Sequence, residues 1–509
     1  MTGTEGPLVL AVDTSTTATK AIVVDAAGQV LATGKADIAM YTPAPGFYEH
    51  DPLDWWRTTD EAVRSALGQV SAADRARVAA MCVTPQRQSF GLFRADGTPV
   101  RRGPLWLDSR AADQVLAYGT EAVHLLSGMP PDVTPSLYKL AWLKEHEPAS
   151  LAAADKVVGV HGYVAYCLTG EWVDSTATAD SLGLYDMARL DFADELLAIA
   201  GVTRDQMATL VATGSVMGAV RGDIAAAWGL PGPIPLVAGC GDGQAAGIGA
   251  GAVGPDEAYL NMGTAIVMGV HSPTYRCGQV YRTDVAGLPG HYVLEAVQNS
   301  GAYLAGWFRE NLGNPALGGA PDPELDAAAE AAGLGAGGLV VLPYWNAVQS
   351  PYWDPVARGA MVGFNGGHTR GYIYRAILEG LSLETARNLT GMAADAGTPL
   401  RQVMVMGGGQ RSPLWRQIMT DAIGIPLVAC EAEEISALGA AIMAMSVTGM
   451  YGGDIVGCAR AMARLGDVSE PDEAAHARYQ EIGAIQGELY GRLKDLFPRL
   501  HAYAQRYAG

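Results

Sequence analysis

The chain has 509 residues, of which 49% are hydrophobic and 17% charged, so it can form two or more packed domains and is not a disordered protein. Its formal net charge of −19 argues against nucleic acid and anionic membranes as partners, although a local cluster of backbone N–H groups can still bind phosphate. The six cysteines form no CxxC pair and the nine histidines show no HExxH spacing, so neither a zinc site nor a disulfide framework is predicted.

The N-terminus, the apolar runs and the cysteines together predict the cellular location. The first residues, MTGTEGP, are acidic and turn-like, which is not the pattern of a signal peptide. No uninterrupted apolar run is long enough to span a bilayer, and scattered cysteines are typical of a reducing compartment. We therefore expect a cytoplasmic protein.

The first half opens with a predicted hairpin. Residues 8–12 and 21–25 read as strands, and residues 29–34 read as a third. The connection between the first two strands, residues 13–20 (DTSTTATK), is rich in hydroxyl groups and ends in a cation. Such a turn offers N–H and hydroxyl donors to phosphate oxygens, although an ordinary hairpin turn has a similar composition.

The second half repeats this beginning. Residues 258–262 and 265–270 read as strands joined by Gly263-Thr264. Helices and strands then alternate in both halves: we predict helices over 52–67, 135–147, 371–387, 415–422 and 435–447, and strands over 78–83 and 403–406. This alternation predicts α/β layers, in two domains that span residues 1–251 and 252–509.

One carboxylate, Asp242, lies alone in a run of glycines and small apolar residues, VAGCGDGQAAGIGAG. Because a buried unpaired carboxylate is costly, this placement needs a reason. Asp242 is either the N-cap of a helix that opens at Gln244, or a catalytic base in a closed cleft whose glycines let a ligand approach the backbone. Both roles are compatible with one residue.

Several segments along the chain resemble one family. They are residues 13–20, 47–56 (FYEHDPLDWW), 105–110 (LWLDSR), 168–180 (LTGEWVDSTATAD), 239–244 (GCGDGQ), 260–265 (LNMGTA), 370–386 (RGYIYRAILEGLSLETA) and 406–427 (MGGGQRSPLWRQIMTDAIGIPL). Each segment alone is weak evidence, but this ordered set resembles the FGGY family of carbohydrate kinases over nearly the whole chain. The resemblance implies an actin/hexokinase-like (ribonuclease H-like) ATPase fold with a cleft between two domains.

The resemblance also implies ATP and Mg²⁺ as cofactors and assigns roles to individual residues. Asp242 is the expected catalytic base, and Asp13 and Asp242 are expected to face the metal. The residues expected to bind ATP are Thr16, Thr17 and Lys20 in the first loop, Gly263 and Thr264 in the second, and Gly408, Gly409 and Ser412 near adenosine. The alternatives are a turn-initiating Asp13, a solvated Lys20 and a simple strand-to-helix turn at the glycines.

The expected substrate-binding residues are Gln86, Arg87, Gln88, Asp108, Asp242 and Gly243. Arg87 resembles the Gln-Arg-Glu stretch of glycerol kinases rather than the Gln-Met-His of xylulokinases, and Gln88 matches neither; a surface charge after a strand is the alternative for Arg87. Thr134 and Gly243 stand where glycerol kinases carry bulkier groups, which predicts room for a longer substrate.

The sequence therefore predicts phosphorylation of a terminal hydroxyl of a four- or five-carbon ketose or polyol. D-Xylulose is the first candidate, and glycerol or an erythritol-type polyol is the alternative. An actin-like ATPase or a sugar-sensing binding module without turnover is the alternative from another class. The expected partner is a small sugar or polyol, with neither nucleic acid nor membrane, and the resemblance also implies that the chain can form a homodimer.

Overall fold

The computed structural model describes residues 6–318 and 320–507. Residues 1–5, which form most of the MTGTEGP segment, lie outside the described residues. The described part contains two large β-sheets, one formed by residues before position 252 and the other by residues after it. Helices pack on both sheets, so the predicted α/β layers are confirmed.

The strands of the first half, with the labels used below, are β1 (Leu8–Thr14), β2 (Ala18–Val24), β3 (Val30–Asp37), β4 (Glu49–His50), β5 (Val78–Pro85), β6 (Phe90–Phe93), β7 (Gly103–Pro104), β8 (Lys156–Gly159), β9 (Val173–Ser175), β10 (Tyr185–Asp186), β11 (Asp191–Phe192), β12 (Thr209–Val211), β13 (Val216–Ala219) and β14 (Pro235–Val237). Those of the second half are β15 (Glu257–Met262), β16 (Ile266–Ser272), β17 (Arg282–Val285), β18 (Tyr292–Gln298), β19 (Val340–Leu342), β20 (Ala360–Val362), β21 (Gln402–Met406), β22 (Leu427–Cys430) and β23 (Leu465–Ser469).

The helices are α1 (Pro52–Gly68), α2 (Ala72–Arg75), α3 (Ala112–Tyr118), α4 (Glu121–Ser127), α5 (Ser136–His146), α6 (Pro148–Ala152), α7 (Val160–Thr169), α8 (Thr176–Ala179), α9 (Asp194–Ala200), α10 (Gly222–Ala227), α11 (Asp242–Gly249), α12 (Ala302–Leu312), α13 (Pro323–Ala332), α14 (Arg370–Ala396), α15 (Pro413–Ile423), α16 (Ile435–Ser446), α17 (Ile455–Met462), α18 (Glu473–Leu493) and α19 (Phe497–Tyr507). None of the helices in the described part of the chain has the length and apolar character needed to cross a membrane.

The two large sheets share one topology. Their strand orders are β3-β2-β1-β5-β14-β13 and β18-β16-β15-β21-β22-β23, with β17 added beyond β18. In each sheet the first strand forms an antiparallel hairpin with the next strand and a parallel pair with a later one, β5 or β21. The two predicted hairpins therefore occupy equivalent positions in the two halves.

Helices α11 and α16 bring the halves together through glycine contacts. A Cβ atom at Gly439 of α16 would lie 1.9 Å from the carbonyl oxygen of Ala245 in α11, and one at Gly249 would lie 2.1 Å from that of Ile435. Only glycine permits this approach of the two backbones. It fixes the first residues of both helices, Asp242 and Ile435, beside the same cleft.

Some predicted boundaries were wrong. Strand β2 begins at Ala18, so Thr19 and Lys20 lie in the strand rather than in the turn. The helix predicted to end at residue 387 continues to Ala396, because buried Leu389 and Met392 extend its apolar face until Gly397 adopts a left-handed conformation. Cross-strand pairing and packing, which a local pattern does not contain, decide these ends.

Candidate active site

The first hairpin carries an acidic and a basic residue at paired positions of its two strands. Asp13 of β1 lies opposite Lys20 of β2 in the register of the sheet. Oδ1 of Asp13 is buried and has no hydrogen-bond partner among the described residues. Burial, together with the negative charge of Asp242, raises the pKa of Asp13 to about 7. The first hairpin therefore presents a carboxylate whose charge the protein itself does not fully compensate.

Lys20 forms an ion pair with a residue from the other half. Its Nζ lies 2.7 Å and 2.9 Å from the two carboxylate oxygens of Glu434, which directly precedes α16. The side chain of Lys20 is 37% exposed. The phosphate role of Lys20 stays a prediction, and the structure adds an acidic partner that the sequence did not reveal.

The turn of the first hairpin is held by a polar network. Nε1 of Trp106 donates to Oγ1 of Thr16 at 2.9 Å, and Nε2 of Gln86 donates to the carbonyl oxygen of Ser15 at 3.2 Å. Thr17 is exposed at the tip. Trp106, from the LWLDSR segment, was not among the predicted site residues, and its indole is 39% exposed beside the turn.

Asp242 is the first residue of α11 and opens onto the cleft. Its Oδ1 accepts a hydrogen bond from the N–H of Gly243 at 2.9 Å and lies 3.4 Å from Nε of Arg87. The side chain is 43% exposed, and none of the described residues forms a hydrogen bond with Oδ2. Desolvation raises the pKa of this carboxyl, although Arg87 opposes the shift. The N-cap of α11 is Gly241, so the N-cap interpretation of Asp242 was wrong by one residue.

Arg87 is surrounded by carboxylates. Its Nη1 donates to Asp284 at 2.8 Å and its Nη2 donates to Glu295 at 2.6 Å, in addition to the Nε contact with Asp242. The guanidinium is buried, so Arg87 is not a surface charge. The donors that we expected to meet a polyol are thus directed mainly at the protein's own acids.

The prediction that Gly243 leaves room for a longer substrate was wrong. A Cβ atom at position 243 would lie 2.6 Å from Oε2 of Glu295 and 2.9 Å from Nη2 of Arg87. A Cβ atom at Gly241 would lie 2.3 Å from Cδ of Arg87. These glycines are required because the side chains of Arg87 and Glu295 pass close to the backbone on either side of Asp242.

Asp108 is not placed at the site. Its side chain is fully buried, and Oδ1 accepts from the backbone and Nε of Arg110, while Oδ2 accepts from Nη2 of Arg110 and from the N–H of Tyr48. Both oxygens are therefore occupied by the protein. The predicted substrate contact is replaced by a structural role that fixes the LWLDSR segment against residues 48–49.

Gln88, which follows Arg87, and Thr134 each contact polar residues of the protein. Gln88 has a φ of +64°, which is uncommon for a residue with a side chain, and its Oε1 lies 3.5 Å from Nη1 of Arg282. Oγ1 of Thr134 donates to Asp132 at 3.0 Å, and the same carboxylate accepts from Gln349 at 3.0 Å. Both sets of contacts therefore include residues of both halves.

The second hairpin lies against Gly407, which lines a cavity of about 560 Å³. The cavity is lined by Gly407, Gly408, Gln410, Arg411, Arg416, Ala429, Cys430, Glu431, Ala432, Glu433, Gly466 and Asp467. Oε1 of Gln410 is buried there without a partner. Gly263 and exposed Thr264 form the hairpin turn, and a Cβ atom at Gly407 would lie 2.5 Å from Oδ1 of Asn261 in β15.

Gly409 and Ser412 have structural contacts near this cavity. A Cβ atom at Gly409 would lie 2.7 Å from the Trp415 ring, and Oγ of Ser412 caps α15 by accepting from the N–H of Trp415 at 3.3 Å. Gly408, in contrast, has open space where its side chain would be. Of the three residues, only Gly408 lines the cavity.

Comparison with known protein families now decides the identity of the fold. Residues 8–249 match the N-terminal domain of the FGGY family of carbohydrate kinases, and residues 258–447 match the C-terminal domain of that family. The chain belongs to the FGGY family of carbohydrate kinases. It is therefore an ATP-dependent phosphotransferase that acts on an alcohol group of a small carbohydrate, and the predicted family and enzyme class are confirmed.

Two relatives of this FGGY kinase are named for different substrates. It is 31% identical over 498 residues to a glycerol kinase from Bordetella parapertussis, which covers 94% of this chain and 96% of that protein. It is 30% identical over 443 residues to a xylulose kinase from Escherichia coli, with 86% and 89% covered. The crystal structure of a xylulose kinase from Rhodospirillum rubrum gives a TM-score of 0.90 at 29% identity over 96% of this chain and 99% of that one. The actin/hexokinase-like fold is confirmed.

Sequence reasoning missed several residues that contact the candidate site residues of this FGGY kinase. They are Trp106, Arg282, Asp284, Glu295 and Glu434. Trp106 lay within a recognised segment, so its position could have been found. The other four lie in or beside strands and helices of the second half and have no local motif, because only the approach of the two halves brings them to the cleft.

Proposed function

We propose that this kinase transfers the γ-phosphoryl group of ATP to a terminal hydroxyl of a four- or five-carbon ketose or polyol, with D-xylulose as the first candidate. The observation that carries this proposal is the Asp242 carboxylate. Its Oδ1 is held by Gly243 and Arg87, while its other oxygen is open to the cleft. The domain limits 1–251 and 252–509 and the homodimer stay predictions.

Asp242 is proposed as the general base. A neutral hydroxyl is a weak nucleophile, and a carboxylate within reach accepts its proton as the bond to phosphorus forms. The open oxygen, Oδ2, is the atom available for that proton. Its position at the first turn of α11 keeps it on a rigid element, which limits the number of orientations that the carboxylate can adopt.

The two hairpins are proposed to bind the phosphates of ATP from opposite halves. Thr16, Thr17 and Lys20 would contribute hydroxyl groups and a cation, and Gly263 and Thr264 would contribute a backbone N–H and a hydroxyl. The cavity beside Gly408 has the size for adenosine, and the unpartnered Oε1 of Gln410 offers an acceptor there. Gly409 and Ser412 would act indirectly by shaping the turn.

Asp13 and Asp242 fit a divalent cation. Oδ1 of Asp13 is buried without a partner, and the charge of Asp242 adds to burial in raising the pKa of Asp13. A cation between two carboxylates would remove both costs. Mg²⁺ keeps much of its hydration shell, so two carboxylates are enough to hold it, and when bound it would neutralise charge on the phosphates.

The contacts of the two arginines beside Asp242 bear on the charge of the acceptor substrate. Arg87 and Arg282 both face carboxylates, so neither guanidinium is free to bind an acidic sugar. A neutral polyol or ketose fits better. With the space at Gly243 filled, the argument for a substrate longer than glycerol rests on Thr134 alone. Glycerol or an erythritol-type polyol is therefore the second candidate, favoured by the resemblance of Arg87 to glycerol kinases.

The test is ADP release with Mg-ATP and a panel of neutral acceptors: xylulose, ribulose, erythritol, threitol, the pentitols, glycerol and no sugar. Asp242→Asn should lower kcat by about 10²- to 10⁴-fold, the usual contribution of a positioned base. The matched control is Asp472→Asn, because Asp472 caps α18, where Asn is an equally good cap. Turnover without sugar would favour an actin-like ATPase, and sugar binding without turnover would favour a sensing module.

A further inference from the structure

One guanidinium in the cleft has a carboxylate at each of its three nitrogens. Arg87, just after β5, meets Asp242 at Nε, Asp284 at Nη1 and Glu295 at Nη2. The distances differ: 3.4 Å to Asp242, but 2.8 Å and 2.6 Å to the two acids of β17 and β18. Arg87 is thus held most closely by the second half of the chain.

Glu295 is firmly anchored. Its Oε1 also accepts from Nε of Arg282 at 2.9 Å, and its Oε2 accepts from the hydroxyl of Tyr259 at 2.9 Å. The Tyr259 ring reaches Glu295 because Gly269 has no side chain; a Cβ atom there would lie 2.3 Å from the ring. With two guanidinium groups around it, the pKa of Glu295 falls to about 2, so the carboxylate is ionised at neutral pH.

The contact between Arg87 and Asp242 is unusually loose for such a pair. A guanidinium that is free to meet a carboxylate commonly forms two parallel hydrogen bonds at about 2.7–2.9 Å, which would occupy both carboxylate oxygens. Here one nitrogen approaches one oxygen, and Oδ2 of Asp242 stays open. The other two nitrogens are committed to Asp284 and Glu295.

We propose that Glu295 and Asp284 are positioning residues for the base: they restrain Arg87 so that it orients Asp242 without closing over the oxygen that receives the proton. This inference rests on the proposed role of Asp242 as base. It lets the second half of the chain, which contributes one of the two phosphate-binding hairpins in the proposed function, influence the orientation of the base through Arg87. Gly241 and Gly243 provide the space that this arrangement needs.

The decisive variant is Glu295→Gln in the full-length kinase. With its Nη2 partner neutral, Arg87 is expected to move onto Asp242 and occupy Oδ2, so kcat should fall at least about ten-fold while KM for ATP stays within about two-fold. Glu257→Gln is the matched control, because Glu257 is an equally buried carboxylate paired with an arginine, Arg460, at the far end of β15. It should retain kcat even where it lowers the melting temperature.

The second measurement is rescue. In Arg87→Met/Glu295→Gln the Arg87 guanidinium is no longer present to cover the base, so kcat at saturating acceptor should rise at least about three-fold above that of Glu295→Gln alone. A purely structural role for Glu295 predicts the opposite, because a second buried substitution would lower kcat further. No rescue, or a kcat for Glu295→Gln equal to that of the control, overturns the proposal.

Failure of this inference is distinguishable from failure of the proposed function. If Asp242→Asn keeps its turnover, the base assignment is wrong and both proposals fall. If Asp242→Asn is inactive but Glu295→Gln resembles the wild type, only the positioning role is wrong.

Should Glu295→Gln not fold, Tyr259→Phe is the replacement variant, because it removes one hydrogen bond to Glu295 and keeps the aromatic ring. An unchanged kcat for that variant overturns the proposal, and a fall of about two-fold or more supports it.

Discussion

The two hairpins of this kinase share a backbone arrangement but differ in charge. In the first, Asp13 pairs across the strands with Lys20; at the equivalent place in the second, Asn261 pairs with Val267. The ionic groups of the first hairpin face Asp242 and Glu434, whereas the strand end of the second, at Asn261 and Met262, lies against Gly407, which lines the cavity beside Gly408. One topology therefore serves two purposes, because side chains at the strand ends, and not the strands, set the chemistry.

Within the two hairpins, the largest expected effect comes from removing the negative charge of Asp13, which the second hairpin lacks. Asp13→Asn gives the first hairpin the residue type of the second and should lower kcat by about 10²-fold, the usual loss of one electrostatic group at a reacting centre. It should also raise the Mg²⁺ concentration needed for half-maximal rate. The reciprocal variant, Asn261→Asp, is expected to raise KM for ATP, because it places a negative charge near the phosphates. Full activity of Asp13→Asn would contradict the assigned difference.

A smaller effect is expected at the lysine of the first hairpin. If the ammonium group of Lys20 contacts a phosphate of ATP, Lys20→Met removes a charge-assisted hydrogen bond. This loss should lower kcat/KM for ATP by about ten-fold. Glu434→Gln removes the ion-pair partner and leaves the lysine free, so it should keep or improve KM for ATP. Equal losses in the two variants would show that Lys20 serves only the ion pair between the halves.

Substitution by alanine should have different effects on stability at Gly243 in the first half and at Gly408 in the second. Gly243→Ala forces a Cβ atom to within 2.6 Å of Glu295, so the free energy of unfolding should fall by about 1–3 kcal/mol as in other overpacked sites, and kcat should fall with it. Gly408→Ala meets no described atom within 4 Å, so stability should be unchanged while KM for ATP rises. Thermal unfolding and ATP titration of both variants separate packing from ligand approach.

The smallest effect is expected at the uncharged turn. Thr264 is exposed, so Thr264→Ala should leave the melting temperature unchanged and raise KM for ATP by about three- to ten-fold, the value of one hydrogen bond. Thr264→Ser keeps the hydroxyl and should restore KM. If Thr264→Ala and Thr264→Ser have the same KM for ATP, the hydroxyl group of Thr264 does not contact a phosphate.

The sequence by itself determined the family, the two-half plan and the principal loops. Strands with buried apolar residues, hydroxyl-rich or glycine-rich turns and the isolated Asp242 are local features, and the order of the motifs is a property of the chain alone. These features were sufficient to predict both hairpins and the glycine turn before α15. They also singled out Asp242, whose role as the base stays a prediction. They were not sufficient for Asp108, whose local setting resembles that of a site residue.

Only the tertiary structure decided what surrounds Asp242. The glycines beside it suggested open space for a ligand, yet Arg87 and Glu295 fill that space, and Glu295 lies 53 residues away in another strand of the other half. Burial, ion pairing and the close approach of α11 to α16 all depend on how the halves meet. A local pattern contains the residue types but not their distances, and the chemistry of a carboxylate depends on those distances because charge–charge energies change steeply over a few ångströms.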